Sequence, residues 1–133
     1  MKKTLVVLAG LALAAALAGG AAAKNPQLWI VHVQKGCHVW SNGTQQAATM
    51  QLALRRGTTL TIVNQDIDMH QLVQLAGPRL AVAGKELMMH PVLIRFTKAG
   101  VYRFTTKPRE MAGMPDAKTT GPDNILRLTV RVT

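Results

Sequence analysis

Asn64-Gln65-Asp66-Ile67-Asp68-Met69-His70 separates two runs of strand character, Thr58-Thr59-Leu60-Thr61-Ile62-Val63 before it and Gln71-Leu72-Val73-Gln74-Leu75 after it. Both runs alternate apolar and polar or β-branched residues, the pattern of half-buried strands. Asn and Asp end a strand by bonding their own backbone and shape a tight loop. The loop delivers a thioether and an imidazole, Met69 and His70, to the start of the next strand.

Working outward, the same alternation recurs along most of the chain. Met50, Leu52 and Leu54 share one parity ahead of the turn Arg55-Arg56-Gly57, and Val92, Ile94 and Phe96 share another ahead of Lys98-Ala99-Gly100. Tyr102 and Phe104 follow, and Leu126, Leu128, Val130 and Val132 close the chain. In the run 28–33, Trp29, Val31 and Val33 are expected on one face, and 34–48 reads as a long connection. The segment 76–86 reads as an irregular excursion, and His32 as a structural residue on its strand. Helix signals are nearly absent, so the predicted fold is an all-β Greek-key sandwich of seven or eight strands in two facing sheets.

The first residues are set apart by composition. Lys2 and Lys3 precede the apolar stretch 5–17, and Ala21-Ala22-Ala23 offers a small-residue cleavage site. This is the pattern of a secretory signal peptide over residues 1–23, with one domain over 24–133 exported to a bacterial periplasm and no transmembrane segment in the mature chain. No Cys stands at the cleavage point, which argues against a lipid anchor. Cys37 is the single cysteine, so no internal disulfide forms in an oxidising compartment.

The formal charge is +10, or +8 without Lys2 and Lys3. Export and the lack of interleaved aromatic platforms argue against nucleic acid. The charge fits an acidic periplasmic protein or an anionic membrane surface. Asp66 and Asp68 fit turn chemistry rather than a catalytic carboxylate pair. No Ser-His-acid order or Gly-rich phosphate loop appears, which argues against an enzyme.

The run Met50-Gln-Leu-Ala-Leu-Arg-Arg-Gly57-Thr-Thr-Leu-Thr-Ile-Val-Asn64-Gln-Asp66 resembles the strand, Gly turn, strand and Asn-x-Asp loop of the cupredoxins. Phe96-Thr-Lys-Ala-Gly100-Val-Tyr102-Arg-Phe104 is similar to that family's Phe-x-x-x-Gly-x-Tyr-x-Phe hairpin. The resemblance implies a copper site with His70 at the first histidine position. It also places Thr106 where the family has its Cys and Arg109 where shorter-loop members have a His. Met114 fits the axial Met, and Met111 the His position of longer-loop members. A blue-copper centre needs a thiolate and two imidazoles beside a weak Met, so the copper motif is degenerate.

Turns at Gly57 and Gly100 belong at one end of a sandwich, which sends the segments 37–48, 64–70, 87–91 and 106–116 to the other. Those segments carry Cys37, His38, Trp40, Met69, His70, Met88, Met89, His90, Met111 and Met114. The candidate metal ligands are therefore His70, His90, Met88, Met89, Met111, Met114, Met69, Cys37 and His38, with the Trp40 ring available to shield a cation. Thioether with imidazole suits copper, Cu(I) ahead of Cu(II). The expected role is a copper-binding protein for copper handling or tolerance. Two alternatives stand beside it: a metal-free interaction module docking an acidic partner, and an electron carrier with a rearranged site using Cys37.

Overall fold

A computed structural model describes residues 25–33, 37–66, 69–81, 86–87, 90–109, 118–119 and 125–133. The predicted signal peptide over 1–23 lies outside them. In chain order the strands are β1 (Gln27–Val33), β2 (Cys37–Ser41), β3 (Gln46–Ala47), β4 (Thr49–Leu54), β5 (Thr59–Asn64), β6 (Met69–Ala76), β7 (Glu86–Leu87), β8 (Val92–Arg95), β9 (Gly100–Arg109), β10 (Lys118–Thr119) and β11 (Arg127–Val132). Three of them, β3, β7 and β10, are two residues long. No helix among the described residues is long and apolar enough to cross a membrane.

The strands form two sheets, β10-β2-β1-β5-β8 with β3 paired to β2, and β4-β11-β9-β6-β7. β5 and β6 lie in different sheets, so the loop between them crosses the sandwich. The pairings β1·β5 and β4·β11 are parallel, while β1·β2, β5·β8, β6·β9 and β9·β11 are antiparallel. Gly57, at φ 89°, makes the turn from β4 to β5 that its position in the sequence predicts.

The core lies where the two inner faces meet. Leu60, Ile62, Val92, Ile94 and Phe96 enter from the first sheet, and Met50, Leu72, Tyr102, Phe104, Leu128, Val130 and Val132 from the second. Each set has one parity on its strand, as the alternation requires. Two expectations fail in the first sheet. On β1 it is Leu28 and Ile30 that are fully buried, while Trp29 and Val31 are only half-buried. The run Leu28-Trp29-Ile30-Val31 is apolar at both parities, so periodicity could not choose, and pairing on both sides by β2 and β5 decides. The expected connection 34–48 contains strand β2, whose Trp40 stands opposite Ile30 and is fully buried in the core. Its ring is core filling, and its Nε1 has no hydrogen-bond partner.

Candidate metal centre

Three strands share one device at the same end of the core. On β1 the inward parity runs Leu28, Ile30, then His32; on β2 it runs Trp40, then His38; on β6 it runs Leu72, then His70. Each strand thus replaces an aliphatic or aromatic side chain by an imidazole as it leaves the hydrophobic interior. His32 and His38 are direct cross-strand partners. His70 approaches from the other sheet, and its ring meets that of His38 edge-on at 4.5 Å between centroids and 76°.

Asp66 ties the three together. The Asp66 N–H donates to Asn64 Oδ1 at 3.0 Å, and the Gln65 N–H donates to the Ile30 carbonyl at 2.8 Å, which pins the loop to β1. The carboxylate is then fully buried. Its Oδ1 lies 3.0 Å from His32 Nδ1, and its Oδ2 lies 2.9 Å from His70 Nε2 and 3.5 Å from His38 Nδ1. A buried carboxylate is tolerated only when paired and hydrogen-bonded, and these imidazoles supply both.

One donor atom each from His38, Asp66 and His70 falls within 4.8 Å of the others, a spacing that fits one metal ion. With Nε2 of His70 donating to Asp66, its Nδ1 is left as a lone pair, and that atom is buried without a partner. The assignment follows from the hydrogen bond rather than from an observed proton. His38 Nδ1 is likewise buried without a hydrogen bond. A carboxylate on the far nitrogen of a ligating imidazole fixes its ring and raises its basicity, and the Asp66–His70 contact has that form.

Burial pushes His38 down to about 4 from 6.5, with the neighbouring His70 and His32 acting in the same direction and Asp66 opposing them. His38 is therefore held as the neutral imidazole that binds metals. The depressed value also carries a stability prediction for the metal-free protein. Above pH 6.5 His38 is neutral in both folded and unfolded chains, so it adds no pH dependence. Between 6.5 and about 4 the unfolded chain takes up the proton and the folded chain does not, so stability falls by up to about 3 kcal/mol as pH drops through that window. Urea midpoints measured across that range should fall more steeply for the wild type than for His38→Gln; parallel curves would show that His38 is not held neutral.

The other candidates are placed differently. Met69 heads β6 opposite Arg109 and is half-buried; strand alternation puts it on the opposite face from His70. Cys37 begins β2, paired with Val33 and Lys118. His90 is exposed and outside the cluster. Met88, Met89, Met111 and Met114 lie outside the described residues. Thr106, at the family's Cys position, is buried opposite Leu72. Two members of the cluster were not among the candidates: Asp66, read as a turn residue, and His32, read as structural. The signal for both was present, since His32 has the parity of Ile30 and Asp66 precedes His70 by four residues.

No protein-family model matches the chain, and neither does any curated protein. Among solved structures, it is similar to a purple cupredoxin from Nitrosopumilus maritimus, at 19% identity over 79% of this chain and 98% of that one, with a TM-score of 0.47. It is also similar to an oxidised methionine-to-leucine variant of amicyanin, at 21% identity over 82% of each chain with a TM-score of 0.47. Amicyanin from Paracoccus versutus aligns at 17% identity over 86% of each chain, with a TM-score of 0.43. The strand order of the two sheets, the loop crossing between them before His70 and the hairpin from Phe96 to Phe104 together make this chain an all-β sandwich of two mixed sheets, the architecture that the resemblance of its motifs to the cupredoxins implies.

Proposed function

We propose that this is a periplasmic copper-binding protein that holds Cu(I) for copper handling or tolerance, with His38 and His70 as imidazole ligands and Asp66 orienting His70. The observation that carries this reading is the pair of buried ring nitrogens, His38 Nδ1 and His70 Nδ1, left without hydrogen-bond partners beside a buried carboxylate. Leaving buried polar atoms unpaired costs about 1–3 kcal/mol each, and a metal ion bound there removes that cost. Copper stands highest among divalent first-row metals for such nitrogen and oxygen donors, and thioethers shift the preference toward Cu(I). Met88, Met89, Met111 and Met114 are the proposed thioether donors. Leu87, opposite His70 in register, directly precedes Met88, and the strand that carries Pro108 opposite His70 ends at Arg109, just before the Met111-Ala-Gly-Met114 segment. Cys37 is a secondary candidate on the same reading. The role is binding rather than catalysis.

Competition with a Cu(I) chelator tests it. His70→Ala and His38→Ala should each weaken binding by at least ~10-fold, since even outer partners of a metal ligand are worth that much. Single Met→Leu changes should cost less, because each Met has a neighbour that can replace it. Cu(II) loading should give no intense band near ~600 nm, because Thr106 offers no thiolate. A band abolished by Cys37→Ser would identify the rearranged electron carrier instead. Equally weak Cu(I) binding by wild type and His70→Ala would sink the copper reading in favour of a metal-free docking module.

A further inference from the structure

The Lys and Arg residues look scattered along the sequence, but the fold sorts them. The six acidic residues are at positions 66, 68, 86, 110, 116 and 123, and none falls in β4, β9 or β11 or in the turns at 55–58 and 96–99. At the end of the second sheet away from the imidazole cluster, the outer face carries several cations and aliphatic side chains, with Thr129 and Gln51 among them. Arg56 stands beyond β4, its N–H donating to the Thr133 carbonyl at the end of β11. Arg131 lies on β11 directly opposite Val101 on β9, and Arg103, two residues along, lies opposite Ala76. Leu75 occupies the bulge of β6 beside them, and Arg79 follows across Gly77.

Gly77 fixes this corner. Its φ is 102°, and a Cβ there would fall 2.6 Å from the Val101 carbonyl oxygen, so the 75–79 segment packs directly on β9. A shallow hollow of about 380 Å³ at this corner is lined by Gln74, Leu75, Ala76, Gly77 and Arg79. Arg56, Arg79, Arg103 and Arg131 are exposed, Leu75 is 62% exposed and Val101 37%. The ion pairs among the described residues all go to Asp66, so none of these four arginines is neutralised there.

The geometry points to a membrane-docking face: this end of the second sheet seats on a bilayer bearing anionic headgroups. The arginines meet lipid phosphates, and Leu75 and Val101 enter the interfacial layer. Three observations favour a bilayer over an acidic protein. The cations are spread across four strands, roughly 15 Å, rather than converging on one pocket. The exposed large apolar side chains among the described residues are all aliphatic, whereas protein hot spots favour Trp and Tyr. Finally, a protein partner exchanging a ligand with the imidazole cluster would have to dock at the other end. Docked on a bilayer, the protein turns that cluster toward solvent. The last of these observations rests on the proposed function, and the first two do not.

Sedimentation with vesicles tests it, comparing phosphatidylcholine alone with phosphatidylcholine mixed with phosphatidylglycerol. The expected result is binding to the mixed vesicles above the neutral baseline, weakening with salt. Each arginine near an anionic surface contributes about fivefold, so Arg103→Glu/Arg131→Glu should lose at least ~30-fold. Arg95→Glu, on the outer face of the first sheet, should bind as wild type does. Leu75→Ser/Val101→Ser should weaken vesicle binding without changing retention on a soluble polyglutamate. All these positions are exposed, and unchanged urea midpoints would confirm that the variants fold. Residues 1–24 are common to every protein compared, so they contribute equally. Sedimentation indifferent to lipid charge, or equal losses in Arg95→Glu and Arg103→Glu/Arg131→Glu, would overturn the proposal. Strong polyglutamate binding with no preference for anionic vesicles would overturn it too, and would give the face to an acidic protein.

Discussion

Asp66→Ala, measured without copper, should lower stability by about 1–3 kcal/mol, the cost of leaving the buried His70 Nε2 without its hydrogen-bond partner. The carboxylate is fully enclosed and sits 3.0 Å from His32 Nδ1 and 2.9 Å from His70 Nε2. Without it the His70 ring, itself fully buried, keeps neither of its hydrogen-bonding nitrogens satisfied. The loop's backbone tie is not the cause of the loss, because the Asp66 N–H bonds to Asn64 whatever the side chain. The urea midpoint should therefore fall while its slope stays constant. A loss of that size is a large share of the 5–15 kcal/mol typical of a domain. Asp66→Asn gives a second reading if the alanine variant does not fold: it keeps an acceptor oxygen and loses the charge, so it should cost roughly half as much. An alanine variant as stable as wild type would mean that the expense of burying the carboxylate cancels its bonds. The cluster would then be held by packing alone.

The same residue shows how far the sequence could be read. The sandwich was legible because most strands bury only one face: Val92, Ile94 and Phe96, or Leu128, Val130 and Val132, reveal their parity at once. β1 and β2 were not, because Leu28 to Val31 is apolar at both parities and β2 lies in a stretch that reads as a connection. His32 was read as a structural residue on its strand and so left outside the site. His70 was legible from its loop, and His38 from the convergence of loops at one end. Asp66 was visible but misassigned, since an Asp after an Asn fits a turn equally well. Its second role appears only when the other sheet brings His32 and His38 against it. Sequence separation explains that failure: His32 and Asp66 are 34 positions apart, and no local pattern records their contact.

At the opposite end of the sandwich, Tyr102→Ala should cost about 3–5 kcal/mol, the range for emptying a buried aromatic site. The Tyr102 ring is 1% exposed and packs edge-on against Phe96, at 4.8 Å and 74°; Phe96 in turn meets Phe104 at 6.5 Å and 75°. These three rings are the Phe-x-x-x-Gly-x-Tyr-x-Phe positions, so the motif marks a packed aromatic layer rather than a binding feature. Tyr102→Phe keeps the ring and removes only the bond its hydroxyl donates to the Lys98 carbonyl at 2.7 Å. Because Lys98 is exposed and its carbonyl can turn to water, that change should cost about 1 kcal/mol. Urea denaturation of the two variants separates ring from hydroxyl; equal losses would place the energy in the hydrogen bond. Six residues of β9, about 20 Å, separate Tyr102 from Pro108, which stands opposite His70. Tyr102→Phe should therefore leave copper affinity unchanged, and its stability cost should add to that of Asp66→Asn within about 0.5 kcal/mol in the double variant. A larger coupling would show that strain travels the length of β9, and the aromatic layer would then belong to the support of the metal centre.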